Sequence, residues 1–269
     1  MVKIITHPGS AHFDEFFAIS MILGKFPNEE FEIERKIPTE EELNDPTIWV
    51  IDIGNRYEPS NLNFDHHQDN NLDCSFSLIA KHFNIENQAR EIFKWWDFKN
   101  QTDLLGIKSA GEKNNIPIDK IECCQSPIED IIIYRFSTDP ERLLSFMRLF
   151  GEGIFNAINE KKLQFALFDN SLVESINESF SYLYIGNYST KFLNLWLEKH
   201  PEIIIILVDN DRFDGYKLQR VNAGEKIIDF QKIIHLEQEI AFVHNTGFLA
   251  VTSEKLPWKR IKELIELTF

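Results

Sequence analysis

Residues 1–67 constrain the fold of this chain more than any other stretch, because short β-rich runs alternate there with helical ones. Val2–Ile5 reads as a buried strand that runs into a loop from Thr6 to Phe13. Asp14 and Glu15 then open a helix whose apolar face carries Phe17, Ala18, Met21 and Ile22. Acidic residues in a first turn suit the helix dipole. Phe31–Ile37 reads as a second strand, Thr39 as the start of a short helix, and Thr47–Ile53 as a central strand ending at Asp52 and Gly54. This order predicts an α/β domain with a mainly parallel sheet flanked by helices. Ligand-binding groups in such sheets stand at the carboxyl ends of the strands. His7 and Asp52 fall at such ends, and Asp65-His66-His67 follows the extended segment Asn61–Phe64.

Beyond this region, residues 75–105 read as helical, with one helix from Ser75 and another over Glu86–Leu105. Lys108–Pro127 is polar and punctuated by Gly and Pro, which predicts a surface loop. Two helices follow, about Pro140–Phe150 and Gly153–Phe180, the second connecting to another domain. From Ser181 the pattern restarts: a strand at Tyr182–Ile185, a helix at Thr190–Lys199 and a strand at Glu202–Val208. A turn at Asp214-Gly215 leads to a hairpin partner, Tyr216–Val221. Strands at Ile240–His244 and Gly247–Thr252 and a helix at Trp258–Leu267 complete a smaller C-terminal α/β domain. The expected division is residues 1–170 and 175–269.

The formal net charge of −15 works against any protein that coats a polyanion, since such proteins carry a basic stripe. A phosphate-bearing substrate must therefore be drawn in locally, by metal ions or a few placed arginines. The longest aliphatic run, Ile203–Val208, is too short to span a bilayer. The first residues show no signal-peptide pattern, and Cys74, Cys123 and Cys124 suggest no disulfide framework. A reducing cytoplasm fits best.

His7, His12, Asp14, Asp52, His66, His67 and Asp97 form the candidate ligand set. Mixed imidazole and carboxylate suit manganese, zinc or iron better than calcium, which takes oxygen alone. Taken singly, each residue has an ordinary reading: a solvated loop histidine for His7 or His12, a helix cap for Asp14. Asp52 at the end of an apolar strand is different, because a buried aspartate needs partners. Trp95 and Trp96 read as core. Arg220 and His244 read equally as an exposed strand residue and a satisfied histidine, or as substrate contacts.

The segments Thr6-His7-x-Gly9-x-x-His12-x-Asp14-Glu15, Val50-Ile51-Asp52-Ile53-Gly54 and Phe64-Asp65-His66-His67-Gln68, in this order, resemble the DHH phosphoesterase superfamily. Within it they are most similar to the Myg family. Gly215–Val221 and Phe242-Val243-His244-Asn245-x-Gly247-Phe248 resemble the Myg C-terminal segments more weakly. The resemblance implies a metal-binding DHH-type domain followed by a substrate-binding domain. It implies two divalent metals, with His7 and Asp14 on different ions, Asp52 bridging them, and His66 joining Asp14. His67 would face the phosphate or orient a ligand, and Asp65 would fix an imidazole through its ring N–H. A later aspartate is expected, Asp97 first and Asp103 as the alternative. Arg220 and His244 would contact substrate.

His12 stands where the wider superfamily places an aspartate. Asp14, Asp52 and Asp97 then leave two dications with one positive charge in excess, which disfavours hard magnesium and favours manganese or another borderline divalent ion. A two-metal centre serves displacement at phosphorus. The implied activity is 3′–5′ exonucleolytic hydrolysis of RNA or short oligonucleotides. The competing readings are a small-molecule phosphoesterase or pyrophosphatase, and a metal-binding regulatory protein without turnover. Oligomeric state stays open, a homo-oligomer included.

Overall fold

The structure is a computed structural model that describes residues 1–124, 126–186, 191–212, 214–221 and 228–269. It is a mixed α/β protein with two sheets, dividing into two compact units, Met1–Asn159 and Glu160–Phe269.

In the first unit, β1 (Val2–Thr6) leads into α1 (Phe13–Lys25), β2 (Phe31–Arg35), α2 (Glu40–Leu43), β3 (Trp49–Ile51), β4 (Tyr57–Glu58) and β5 (Asn63–Phe64). The sheet order is β2-β1-β3-β5-β4, parallel throughout except for the β4–β5 pair. Thr6 pairs with both Arg35 and Ile51, so the ends of three strands lie side by side. Helices follow: α3 (Ser75–His82), α4 (Glu86–Ile92), α5 (Trp96–Leu105), α6 (Ile107–Lys113), α7 (Ile118–Cys123), α8 (Pro127–Thr138) and α9 (Leu144–Asp169). The stretch read as a surface loop, 108–127, is largely helical. Pro117 and Gly106 do not break it up; they cap helices, Pro117 preceding α7 and Gly106 joining α5 to α6.

The core is built around α1, where Phe16, Phe17, Ile19, Met21 and Ile22 are all buried. Rings of Phe13, Phe17, Phe76, Trp95, Trp96 and Phe150 meet edge-on or offset around it. Each fully buried side chain among these contributes roughly 1.5–3 kcal/mol by leaving water, and the partly buried Phe13, Trp95 and Phe150 contribute less. Helix α9 reaches α1 through paired glycines: a Cβ added at Gly151 would lie 1.9 Å from the Ser20 carbonyl oxygen. Only glycine allows that approach.

The second unit begins within α9 and continues with β6 (Leu172–Ser175), β7 (Ser181–Gly186), α10 (Leu193–Leu197), β8 (Ile203–Asp209), β9 (Tyr216–Arg220), β10 (Ile240–Val243), β11 (Leu249–Thr252) and α11 (Trp258–Glu266). Its sheet, β10-β11-β9-β8-β7-β6, is antiparallel apart from β7–β8. The connecting helix ends at Asp169, short of Phe180, because β6 occupies 172–175 as an exposed edge strand. Thr190, the expected start of α10, lies outside the described residues. Among those described, no helix is long and apolar enough to cross a membrane.

Candidate metal centre

Strand ends and one helix start converge on a single spot in the first unit. His7 follows β1, Asp52 follows β3, and Asp65-His66-His67 follows β5, as parallel pairing of these strands requires. Asp52 takes a left-handed conformation, φ 60°, while its N–H continues the ladder to the Phe64 carbonyl at 3.0 Å. The chain must then turn sharply, and Gly54 at φ 102° does so where a Cβ would come 2.7 Å from Leu43. Such strain is held by surrounding structure and collects at working sites.

The two Asp52 oxygens face two different groups. Oδ2 lies 3.6 Å from His7 Nε2. Oδ1 lies 3.2 Å from His66 Nε2, 3.8 Å from His67 Nδ1, and accepts a hydrogen bond from Ser75 Oγ at 3.1 Å. Among the described residues, ligand atoms gather within 4.8 Å of one another in three sets: His7, His12, Glu15 and Asp52; Asp52, His66 and His67; Asp14, Cys74 and Asp103.

On the first side, the His7 Nδ1–H can donate to the Pro8 carbonyl at 3.0 Å, which leaves Nε2 aimed at the cluster. Glu15 is fully buried with one oxygen 3.0 Å from His7 Nε2. Both its oxygens accept the His12 N–H at the start of α1, and Arg35 Nη1 stands 3.4 Å away. The Arg35 guanidinium lies over the Phe136 ring and also donates to the Gly9 carbonyl. The nearby Glu15 carboxylate raises His7 to about 9.

On the other side, Asp14 is buried and accepts backbone N–H groups of Ser75 and Phe76, at 2.9 and 2.7 Å. It therefore also stabilises the start of α3. His66 Nε2 lies 3.2 Å from Asp103 and 3.7 Å from Asp14. Burial lowers His66, but Asp103 and Asp52 outweigh it and raise the imidazole to about 10. Burial raises Asp14 and Asp52, and the neighbouring carboxylates push the same way. Asp65 accepts from the Asn55 N–H at 2.6 Å and the His67 N–H at 3.2 Å, and holds His67 Nδ1 at 2.7 Å. The His67 ring is thereby fixed, with its other face exposed.

Four carboxylates buried this close together repel one another unless cations separate them. Nε2 of His7 and of His66 are buried, lie against carboxylates, and make no hydrogen bond of proper geometry. Imidazole nitrogens and carboxylate oxygens converging in this way fit divalent transition metals. Among the described residues, His7, His12, Glu15 and Asp52 could hold one ion, and Asp52, His66 and His67 another, with Asp14 and Asp103 beside His66.

Two expectations change. Asp97 is not in the cluster: it is exposed and paired with Arg90. Asp103 stands beside His66 in its place. Both lie on α5, but six residues turn them about 120° apart around the helix, so one alone can face the site. Glu15 is the residue that sequence reading passed over, because an acid in a first turn is explained by the dipole alone. With Glu15 and Asp103 included, four carboxylates match two dications, and the expected positive excess is restored only by Arg35 nearby. Arg220 and His244 belong to the second unit. Arg220 is half-buried and donates to the Ile228 carbonyl. His244 lies 2.9 Å from Thr246 Oγ1 and lines a pocket of about 540 Å³ with Gln231 and Phe242.

Residues 3–86 match the model of a family described as MYG1_exonuc, uncharacterised protein family (UPF0160). The matched span holds His7 through His67 but not Asp103. The family's name points to a hydrolase of exonuclease type. No curated protein matches the chain. A crystal structure of an uncharacterized protein from Helicobacter pylori G27 aligns over 98% of this chain and 98% of its own, at 11% identity and a TM-score of 0.24.

Proposed function

On the match of residues 3–86 to the MYG1_exonuc family model, we propose that this protein is a metal-dependent phosphodiesterase, a 3′–5′ exonuclease on RNA or short oligonucleotides. One observation carries the reading: Asp52 turns one carboxylate oxygen towards His7 and the other towards His66. A carboxylate so placed could hold a cation on each side. When bound, such a pair activates water and neutralises charge that develops on the phosphoryl group. Manganese is the proposed occupant, now on the strength of the imidazoles rather than of a charge excess.

The chain's own residues do the rest. The Pro8 carbonyl orients His7 through Nδ1, and Glu15 stands beside His7 Nε2, itself held by Arg35 and the His12 N–H. Asp14 and Asp103 flank His66. Asp65 fixes His67 through Nδ1 and would stabilise its imidazolium form, which alone could donate from Nε2 to a phosphoryl oxygen. The Asp14 carboxylate stays rigid because two backbone amides at the start of α3 hold it. Arg220 and His244 are proposed substrate contacts on the second unit, and the DHH-type assignment of the first unit is part of the same reading. The cytoplasm is the proposed location.

Incubation of manganese-loaded protein with short 5′-labelled RNA tests this. Stepwise shortening from the 3′ end is expected. Hydrolysis of pyrophosphate with no diester cleavage would replace the reading with a small-molecule phosphatase. Bound metal with no hydrolysis of either would leave a metal-binding protein without turnover.

A further inference from the structure

A cavity of about 970 Å³ opens directly beside the cluster, with His12, Asp14 and Asp103 in its lining. Its walls come from α1, α3 and helices α5–α8, which include the 108–127 stretch expected to be a surface loop. One stripe of α5 joins the two features. Trp95 just before the helix, then Phe98, Lys99, Thr102 and Asp103, fall at the spacing of a single helical face. The same face that brings Asp103 to His66 therefore lines the cavity.

We propose that this cavity seats the base of the substrate, so that the preferred class is a nucleotide or short oligonucleotide rather than a phosphate ester without a ring. This rests on reading the adjacent cluster as a phosphodiester centre. The volume lies at the upper end of the ~300–1,000 Å³ typical of small-molecule pockets and is far more than pyrophosphate needs. The wall rings are held in place by their neighbours: Phe13 meets Trp95 edge-on at 5.6 Å and Phe76 edge-on at 6.1 Å. Lys99 lies 4.7 Å from the Phe13 ring centre and pairs with Glu129, which also lines the cavity. An acyl chain would have no use for these charged and hydroxyl groups. A base has an apolar face for the rings and a polar edge for Lys99, Thr102 and Glu129.

Calorimetric titration of the manganese-loaded protein with adenosine monophosphate and with ribose 5-phosphate tests the cavity without turnover. Adenosine monophosphate is expected to bind at least about tenfold tighter, the lower range of a base–aromatic contact. Phe98→Ala, which removes a wall ring, and Ile107→Trp, which fills the space, should each abolish that advantage while metal content stays at the wild-type level. Equal affinity for the two ligands, or an advantage unchanged in both variants, overturns the proposal. The two readings fail separately. A base-dependent affinity in a protein that cleaves no diester removes the catalytic reading and keeps the pocket. Equal kcat/KM for diesters with and without a base removes the pocket and keeps the catalysis.

Discussion

The two units bury polar groups in opposite ways. In Met1–Asn159, the interior holds Asp14, Glu15, Asp52, Asp65 and His66, all gathered near the carboxyl ends of parallel strands. In Glu160–Phe269, no carboxylate is buried among the described residues; Ile203–Leu207 of β8 is apolar throughout, and Thr252 and Thr268 are satisfied by backbone partners. A largely antiparallel sheet connected by hairpins has no shared carboxyl edge at which to collect side chains. The second unit does bury the Lys161 side chain, but the buried carboxylates collect only where topology lets several loops share their desolvation, and that is where chemistry should be sought.

The contrast can be broken by substitution. The largest effect expected is from Asp52→Asn, which should abolish both metal binding and hydrolysis; turnover retained in this variant would contradict the bridging role. Next, Glu15→Gln and Asp103→Asn should each weaken metal binding by at least the ~10–100-fold typical when a supporting partner is lost. Asp97→Asn should stay near the wild type, because its carboxylate faces Arg90 at the surface. Metal titration of the three variants checks this, and a loss confined to Asp97→Asn would reinstate it as the ligand.

The pH dependence sharpens the same comparison. His7 and His66 have folded-state values raised to about 9 and about 10, above the ordinary imidazole value of about 6.5. Their ion pairs therefore stabilise the metal-free protein fully below about pH 6.5, and that contribution is lost as pH rises through 9 to 10. The raised Asp14 and Asp52 act in the same direction, since ionising them in place is costly. Metal needs neutral imidazole, so its affinity rises over the same window. Thermal unfolding should show Tm falling with pH for metal-free protein, and manganese raising Tm most at the alkaline end. The smallest effects should come from the second unit: Arg220→Ala and His244→Ala should raise KM by about tenfold and leave metal content unchanged.

Much of the site was legible before the fold was known, for a physical reason. His7, Asp52 and Asp65-His66-His67 end strands or extended segments, and the ends of parallel strands converge by construction. Glu15 was hidden because the dipole already accounts for an acid there; its burial and Arg35, twenty residues away on β2, come only with packing. Asp97 and Asp103 could not be separated by sequence, since the rotation of α5 about its axis decides between them. Helices α6 and α7 were missed because they are short, mostly exposed and polar, which removes the apolar periodicity that marks a helix. β6 is an exposed edge strand and gives no alternating signal.

Anomalous diffraction from crystals soaked in manganese tests the central claim most directly. The account predicts two peaks about 3.5–4 Å apart, one on each side of the Asp52 carboxylate. A single peak, or two that do not share Asp52, would contradict it.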